Sequence, residues 1–160
     1  MRESFSNLAA LRESVARLAD AGAPLDAAES AMLTTGYAPF DQALRGGLAV
    51  GRLHEFYTDD PLDAPSAAAF AALLALRQAK PEQPLIWLRS REASRKSGQI
   101  YAPGLMQLGG NPDQLLLVEV GEPTALLAAA HDAVRCAGSA GVIIECWGAC
   151  APLDLTAGRR

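Results

Sequence analysis

Thr58-Asp-Asp-Pro-Leu-Asp-Ala-Pro-Ser66 stands where a phosphate-binding loop belongs and lacks the residues that make one. It follows a short apolar strand pattern, Leu53 to Tyr57, and leads into an alanine- and leucine-rich helix pattern, Ala67 to Gln78. That strand–loop–helix frame is the setting of a Walker A loop, in which glycines free backbone N–H groups for phosphates and a Lys and a Ser/Thr complete the cradle. Here the loop has no glycine and no lysine. Thr58 and Ser66 remain, but Asp59, Asp60 and Asp63 put carboxylates where a triphosphate brings its own charge. Like charges at close range in a partly desolvated loop cost several kcal/mol, on the order of a thousandfold in affinity. The loop is expected to hold no nucleotide, and no cofactor is expected elsewhere.

Other chemistry-bearing groups are isolated. His54 and Glu55 are neighbours on a strand pattern and point to opposite faces, which favours a packed or capped His over acid–base work. Neither His131 nor Ser66 has partners that suggest a catalytic triad. Cys146 and Cys150 have C-x-x-x-C spacing, but no second pair or His cluster completes a zinc set. Three cysteines, an odd number, fit a reducing cytosol.

Arg89, Arg91, Arg95 and Lys96 form a basic cluster interrupted only by Glu92. A cluster of this kind is either a solvated loop or a patch for an anion, a nucleic acid or a partner. The formal net charge of −4 disfavours a strong free-standing nucleic-acid binder.

The 160 residues fit one domain with a sizeable core, and half of them are hydrophobic. The longest apolar stretch, Ala67 to Leu76, falls short of the roughly 18 residues of a membrane span. Met1-Arg-Glu-Ser leads into a charged amphipathic segment without the apolar core of a signal peptide.

Residues 6–21 read as a helix with Leu8, Leu11, Val15 and Leu18 at a/d-like spacing, a narrow stripe suited to one groove. The stripe can fold back on its own domain or dock on another protein. Gly22 and Pro24 end it, and the small residues from Ala21 to Ser30 read as a linker.

From Thr34 the pattern turns α/β. Thr35-Gly36 and Gly46-Gly47 punctuate a short helix with Phe40 and Leu44 among its apolar positions. Strands are expected at Leu53–Tyr57, Pro84–Leu88, Leu115–Val120 and Gly141–Glu145. Helices are expected near Ile100–Leu108 and over Pro123–Arg135, the latter with Leu126, Leu127, Ala130 and Val134 on one face. Alternation of strands and helices implies parallel pairing through right-handed crossovers.

These motifs together resemble a RecA-type ATPase core, and more closely the bacterial ImuA family. Thr34-Thr-Gly-Tyr-Ala-Pro-Phe-Asp-Gln-Ala-Leu44 followed by Gly46-Gly-Leu-Ala-Val-Gly-Arg-Leu-His-Glu55 is similar to the segment that opens the RecA core, and the Leu-His-Glu ending is the ImuA form. Gly98-Gln-Ile-Tyr-Ala-Pro-Gly-Leu105 and Leu153-Asp-Leu-Thr-Ala-Gly-Arg-Arg160 also resemble ImuA, so that the likeness covers roughly residues 30–160. It implies a three-layer sandwich with a mostly parallel sheet over residues 31–160, preceded by the helix and linker of residues 1–30. The position of the RecA catalytic Glu falls near Arg91, which offers no general base. Glu145 becomes a remnant of the Walker B acid, which without bound phosphates supplies a Mg²⁺ ion only part of its ligands.

The function implied is that of a non-catalytic adaptor in the SOS response to DNA damage. Its implied partners are an ImuB-like member of the polymerase family, an error-prone polymerase and RecA itself, in translesion synthesis. A homo-oligomer and a weak contact with single-stranded DNA are left open. The alternative is a cell-division inhibitor resembling SulA, which shares a degenerate RecA-like core and acts on FtsZ. In a RecA-type sheet the strand between the Walker A and Walker B strands would come after residue 160. The core is therefore expected to be incomplete at its C-terminal end, with 53–57 and 141–145 not paired to each other.

Overall fold

Leu85, Ile86, Trp87, Leu88 and Arg89 are five consecutive buried residues of one strand, the pattern of a sheet's centre covered on both faces. The computed structural model describes residues 31–148, which fall into two compact units divided between Arg52 and Leu53. Residues 6–21 with their Leu8/Leu11/Val15/Leu18 stripe, the 21–30 linker and Leu153–Arg160 lie outside the described residues.

The first unit holds β1 (Met32–Leu33), helix α1 (Ala38–Ala43) and β2 (Leu48–Ala49). β1 and β2 pair antiparallel, with Met32 opposite Ala49 and Leu33 opposite Leu48. The short helix foreseen between the two glycine pairs is α1, with Leu44 as its C-cap.

The second unit is α/β. Helix α2 (Ala64–Gln78) leads to β3 (Leu85–Ser90), then come α3 (Arg91–Ser97), α4 (Ala102–Gln107), β4 (Leu115–Val120), α5 (Pro123–Val134) and β5 (Gly141–Glu145). The strands form one parallel sheet in the order β4-β3-β5, with Leu85 opposite both Leu115 and Gly141. Parallel neighbours need crossovers, and α3–α4 and α5 supply them.

Side chains alternate across β3. Leu85 and Trp87 pack with Ala72 of α2 on one face, while Ile86 and Leu88 pack with Leu126, Ala130 and Ala133 of α5 on the other. The sheet is thus the middle of three layers. Leu85, Leu88 and Leu126 are its largest fully buried side chains, each stabilising the fold by about 1.5–3 kcal/mol relative to exposure. The inward stripe of α5 runs 126, 130, 133, so that Val134, expected on that face, is exposed.

Two expectations are corrected. Leu53–Tyr57 forms no strand and belongs to no sheet, because no strand among the described residues pairs with it. Its anchor is lateral instead: Phe56 meets Phe70 of α2 edge to face, with centroids 5.7 Å apart. The stretch Arg91–Ser97, with its basic residues, is also a helix rather than a loop. Ser90 caps it by accepting the Ala93 N–H at 3.0 Å, and Ala93 and Ser94 are its buried face.

None of the helices of the described residues is long and apolar enough to cross a membrane.

Candidate functional site

The carboxyl ends of parallel strands are where α/β proteins bind ligands, and there the sheet ends in charged side chains. Arg89 on β3 and Glu145 on β5 are register partners. The guanidinium meets the carboxylate side-on, Nε to Oε2 at 2.6 Å and Nη2 to Oε1 at 3.0 Å. Trp87 Nε1 donates to the same Oε2 at 2.9 Å, and Arg89 Nη1 donates to the Gly98 carbonyl at 3.0 Å. The Arg89 carbon Cζ also lies 6.0 Å from the centre of the Trp87 ring, within cation–π reach. The side chains of the pair are 3% and 10% exposed, so solvent screens it little.

This arrangement changes what Glu145 can do. Both of its oxygens accept hydrogen bonds from protein donors, and its charge is matched by a fixed guanidinium. A Mg²⁺ ion would have to displace Arg89 and leave that cation buried without a partner, a penalty of several kcal/mol. Glu145 and its surroundings do not fit a metal site. Among the described residues, no group of three or more His, Cys, Asp or Glu side chains could hold a metal ion.

The loop ahead of α2 is also closed in a way that glycine counting did not reveal. Residues Pro61–Asp63 form a 3₁₀ turn. Asp60 accepts the Leu62 N–H on its Oδ1 at 2.9 Å, and its carbonyl accepts the Asp63 N–H at 3.0 Å. Pro61 and Pro65 have no N–H to give. Leu62 and Asp63 thus spend their donors inside the turn, two further positions have none, and Asp59, Asp60 and Asp63 are exposed. Thr58 and Ser66 are exposed at the two ends of this stretch. Neither the loop nor Glu145 fits a magnesium–nucleotide complex. The prolines were readable in the sequence, since a residue without an N–H cannot serve a phosphate.

The basic cluster separates into two parts. Arg89 is buried and committed to Glu145, which removes it from the expected surface patch. Arg91, Arg95 and Lys96 are exposed on α3. Arg91 lies against Gly121 and approaches Glu119 at 3.7 Å, an exposed pair worth little by itself.

The motif at the start of the chain has a structural use in the first unit. The Asp41 carboxylate accepts the Thr35 N–H and hydroxyl, both at 2.8 Å, and the Gly36 N–H at 3.2 Å. Gly47 is buried at a φ of +122°, and a Cβ there would stand 2.3 Å from the Leu33 carbonyl oxygen. Thr35, Gly36, Asp41 and Gly47 thus hold α1 against the β1–β2 pair without any ligand.

His54 and Glu55 are both exposed, and Glu55 accepts the Tyr57 hydroxyl at 3.0 Å, which raises the Tyr57 pKa by favouring the protonated phenol. His131 lies 3.4 Å from Asp132 on the exposed side of α5.

No protein-family model, curated protein or solved structure matches this chain.

Proposed function

We propose that the chain is a non-catalytic, RecA-like adaptor that acts through protein–protein contacts in the SOS response, in support of error-prone translesion synthesis. The single observation that carries the non-catalytic part is the Glu145 carboxylate, both of whose oxygens accept hydrogen bonds from protein donors. The acid at the end of β5 is held by Arg89 and Trp87 on the protein's own account, and its charge is already matched by the guanidinium.

The closed 58–66 loop supports the same reading from the other side of the frame. A three-layer α/β scaffold that has given up phosphate chemistry at both positions is suited to recognition. The place in translesion synthesis rests on the Thr34–Glu55, Gly98–Leu105 and Leu153–Arg160 motifs, whose likeness is to ImuA, and on no other observation.

Affinity purification of the full chain from DNA-damaged cells tests the assignment. Enrichment of an ImuB-like protein or of RecA is the expected result. Enrichment of FtsZ, without either of them, would replace this reading with the SulA-like one.

A further inference from the structure

Arg89 reaches beyond its ion pair. While Nε and Nη2 engage Glu145, Nη1 donates at 3.0 Å to the carbonyl oxygen of Gly98, the residue that closes α3. Gly98 has a φ of 78° and a ψ of −170°, a conformation in which L side chains are strained. No atom lies within 4 Å of a Cβ built there, so backbone conformation and not space calls for glycine. The direction of its carbonyl is therefore fixed by a glycine-only backbone, and it points at Arg89.

The segment after Gly98 is weakly held by its own means. Ile100 packs on the Leu85–Trp87 cluster, and Tyr101 starts α4 without a side-chain cap. α4 has six residues and buries only Leu105. A helix of that length has no stability of its own and takes its position from the groups it is tied to. It also carries or adjoins Tyr101, Met106 and Leu108, exposed by 71%, 63% and 65%.

We propose that Arg89 is a latch: its guanidinium ties the 98–101 loop, and with it α4, to the ends of β3 and β5. Glu145 orients the guanidinium, and the remaining N–H is thereby aimed at Gly98. While the latch is closed, Tyr101, Met106 and Leu108 are presented in one arrangement. When Arg89 loses its contact with Gly98, the loop and α4 open locally while the sheet and α5 stay folded. Arg89 is a positioning residue in this scheme, and the scheme does not depend on the adaptor reading.

Hydrogen exchange measured by mass spectrometry on the full chain tests it, comparing wild type with R89K, G98A and the double variant. Lysine keeps a cation opposite Glu145 but lacks the fork that also reaches Gly98. G98A disturbs the acceptor and leaves the ion pair in place. In either single variant the Leu105 and Gly110 amides, bonded to the Tyr101 and Leu105 carbonyls, are expected to exchange about tenfold faster, the loss of one hydrogen bond to a charged group. The Leu126 amide of α5, bonded to the Glu122 carbonyl, is expected to keep its wild-type rate. The double variant is expected to match the singles in α4, because both break the same Arg89–Gly98 contact. Unchanged exchange of α4 in R89K, equal acceleration of α4 and α5, or additive effects in the double variant would each overturn the latch. Should G98A fail to fold, R89K decides alone by the contrast between α4 and α5.

Discussion

Arg89 and Glu145 stand directly opposite each other on adjacent parallel strands, and their side chains meet through two hydrogen bonds of 2.6 and 3.0 Å in a nearly solvent-free position. A guanidinium so placed makes the terminal acid of β5 part of the fold. Removing one partner strands the other as a buried charge, which costs more than the pair itself contributes.

Replacing Arg89 with Met, or Glu145 with Gln, is therefore expected to destabilise the domain by about 3–5 kcal/mol. R89M/E145Q is expected to recover most of that loss, since no charge remains and Gln still accepts the Trp87 N–H. Urea denaturation of the single and double variants checks this. If the double variant were as unstable as the sum of the singles, the pair would not be the source of the effect.

The domain is expected not to bind ATP. Leu62 and Asp63 spend their N–H groups inside the 3₁₀ turn, Pro61 and Pro65 have none, and three carboxylates face the solvent around them. Calorimetry with ATP and Mg²⁺ up to millimolar concentration is expected to show no saturable heat. Binding tighter than about 100 μM, roughly −5.5 kcal/mol, would contradict the reading.

The strands and helices of the second unit were legible wherever one physical signal dominated. Leu85–Leu88 and Gly141–Glu145 are apolar runs bounded by turn residues, and both are strands. Pro123 opens α5 where a helix tolerates proline. Leu53–Tyr57 has apolar residues only around His54 and Glu55, and a segment becomes a strand only when a neighbour is present to bond it, which a local pattern does not report. Arg91–Ser97 hides its helix because its charge is more conspicuous than its Ser90 cap. The decisive pair, Arg89 and Glu145, was visible only as two separate residues. They lie 56 positions apart, and the register that brings them together is a property of the folded sheet.

Gly47→Ala is expected to disrupt the first unit. The added Cβ would meet backbone, the Leu33 carbonyl oxygen at 2.3 Å, and backbone cannot swing aside as a flexible side chain can. Strained φ alone costs about 1–3 kcal/mol, and the overlap adds to it. The Val50 amide, bonded to the Ala31 carbonyl at 2.8 Å beside the β1–β2 pair, should lose its protection from exchange. Gly46→Ala, where nothing lies within 4 Å, shares the positive φ without the collision and is expected to be the milder change. Equal effects of the two substitutions would place the cost in φ alone.

The Leu8, Leu11, Val15 and Leu18 stripe is expected to dock on a neighbouring copy or a partner, in keeping with the resemblance to RecA, whose N-terminal helix packs on the next subunit. L11S/L18S should weaken association in sedimentation experiments and leave the melting of the rest of the chain unchanged. A collapse of thermal stability with no change in association would assign the stripe to the chain's own core instead.

Any attraction for single-stranded DNA is expected to reside on α3, and the burial of Arg89 narrows its source to Arg91, Arg95 and Lys96. Arg91 and Arg95 are four residues apart and so share a helix face, and both are exposed. The chain as a whole carries a net charge of −4, so a phosphate backbone meets repulsion over much of the remaining surface. R91E/R95E reverses two charges on that face and should abolish salt-sensitive binding to an oligonucleotide, measured by fluorescence anisotropy across a salt series. The R89M/E145Q variant, which changes no exposed charge, should bind as wild type does with the same salt slope. Unchanged affinity in R91E/R95E would remove α3 as the contact, because a counterion-release mechanism cannot survive the reversal of the cations that drive it.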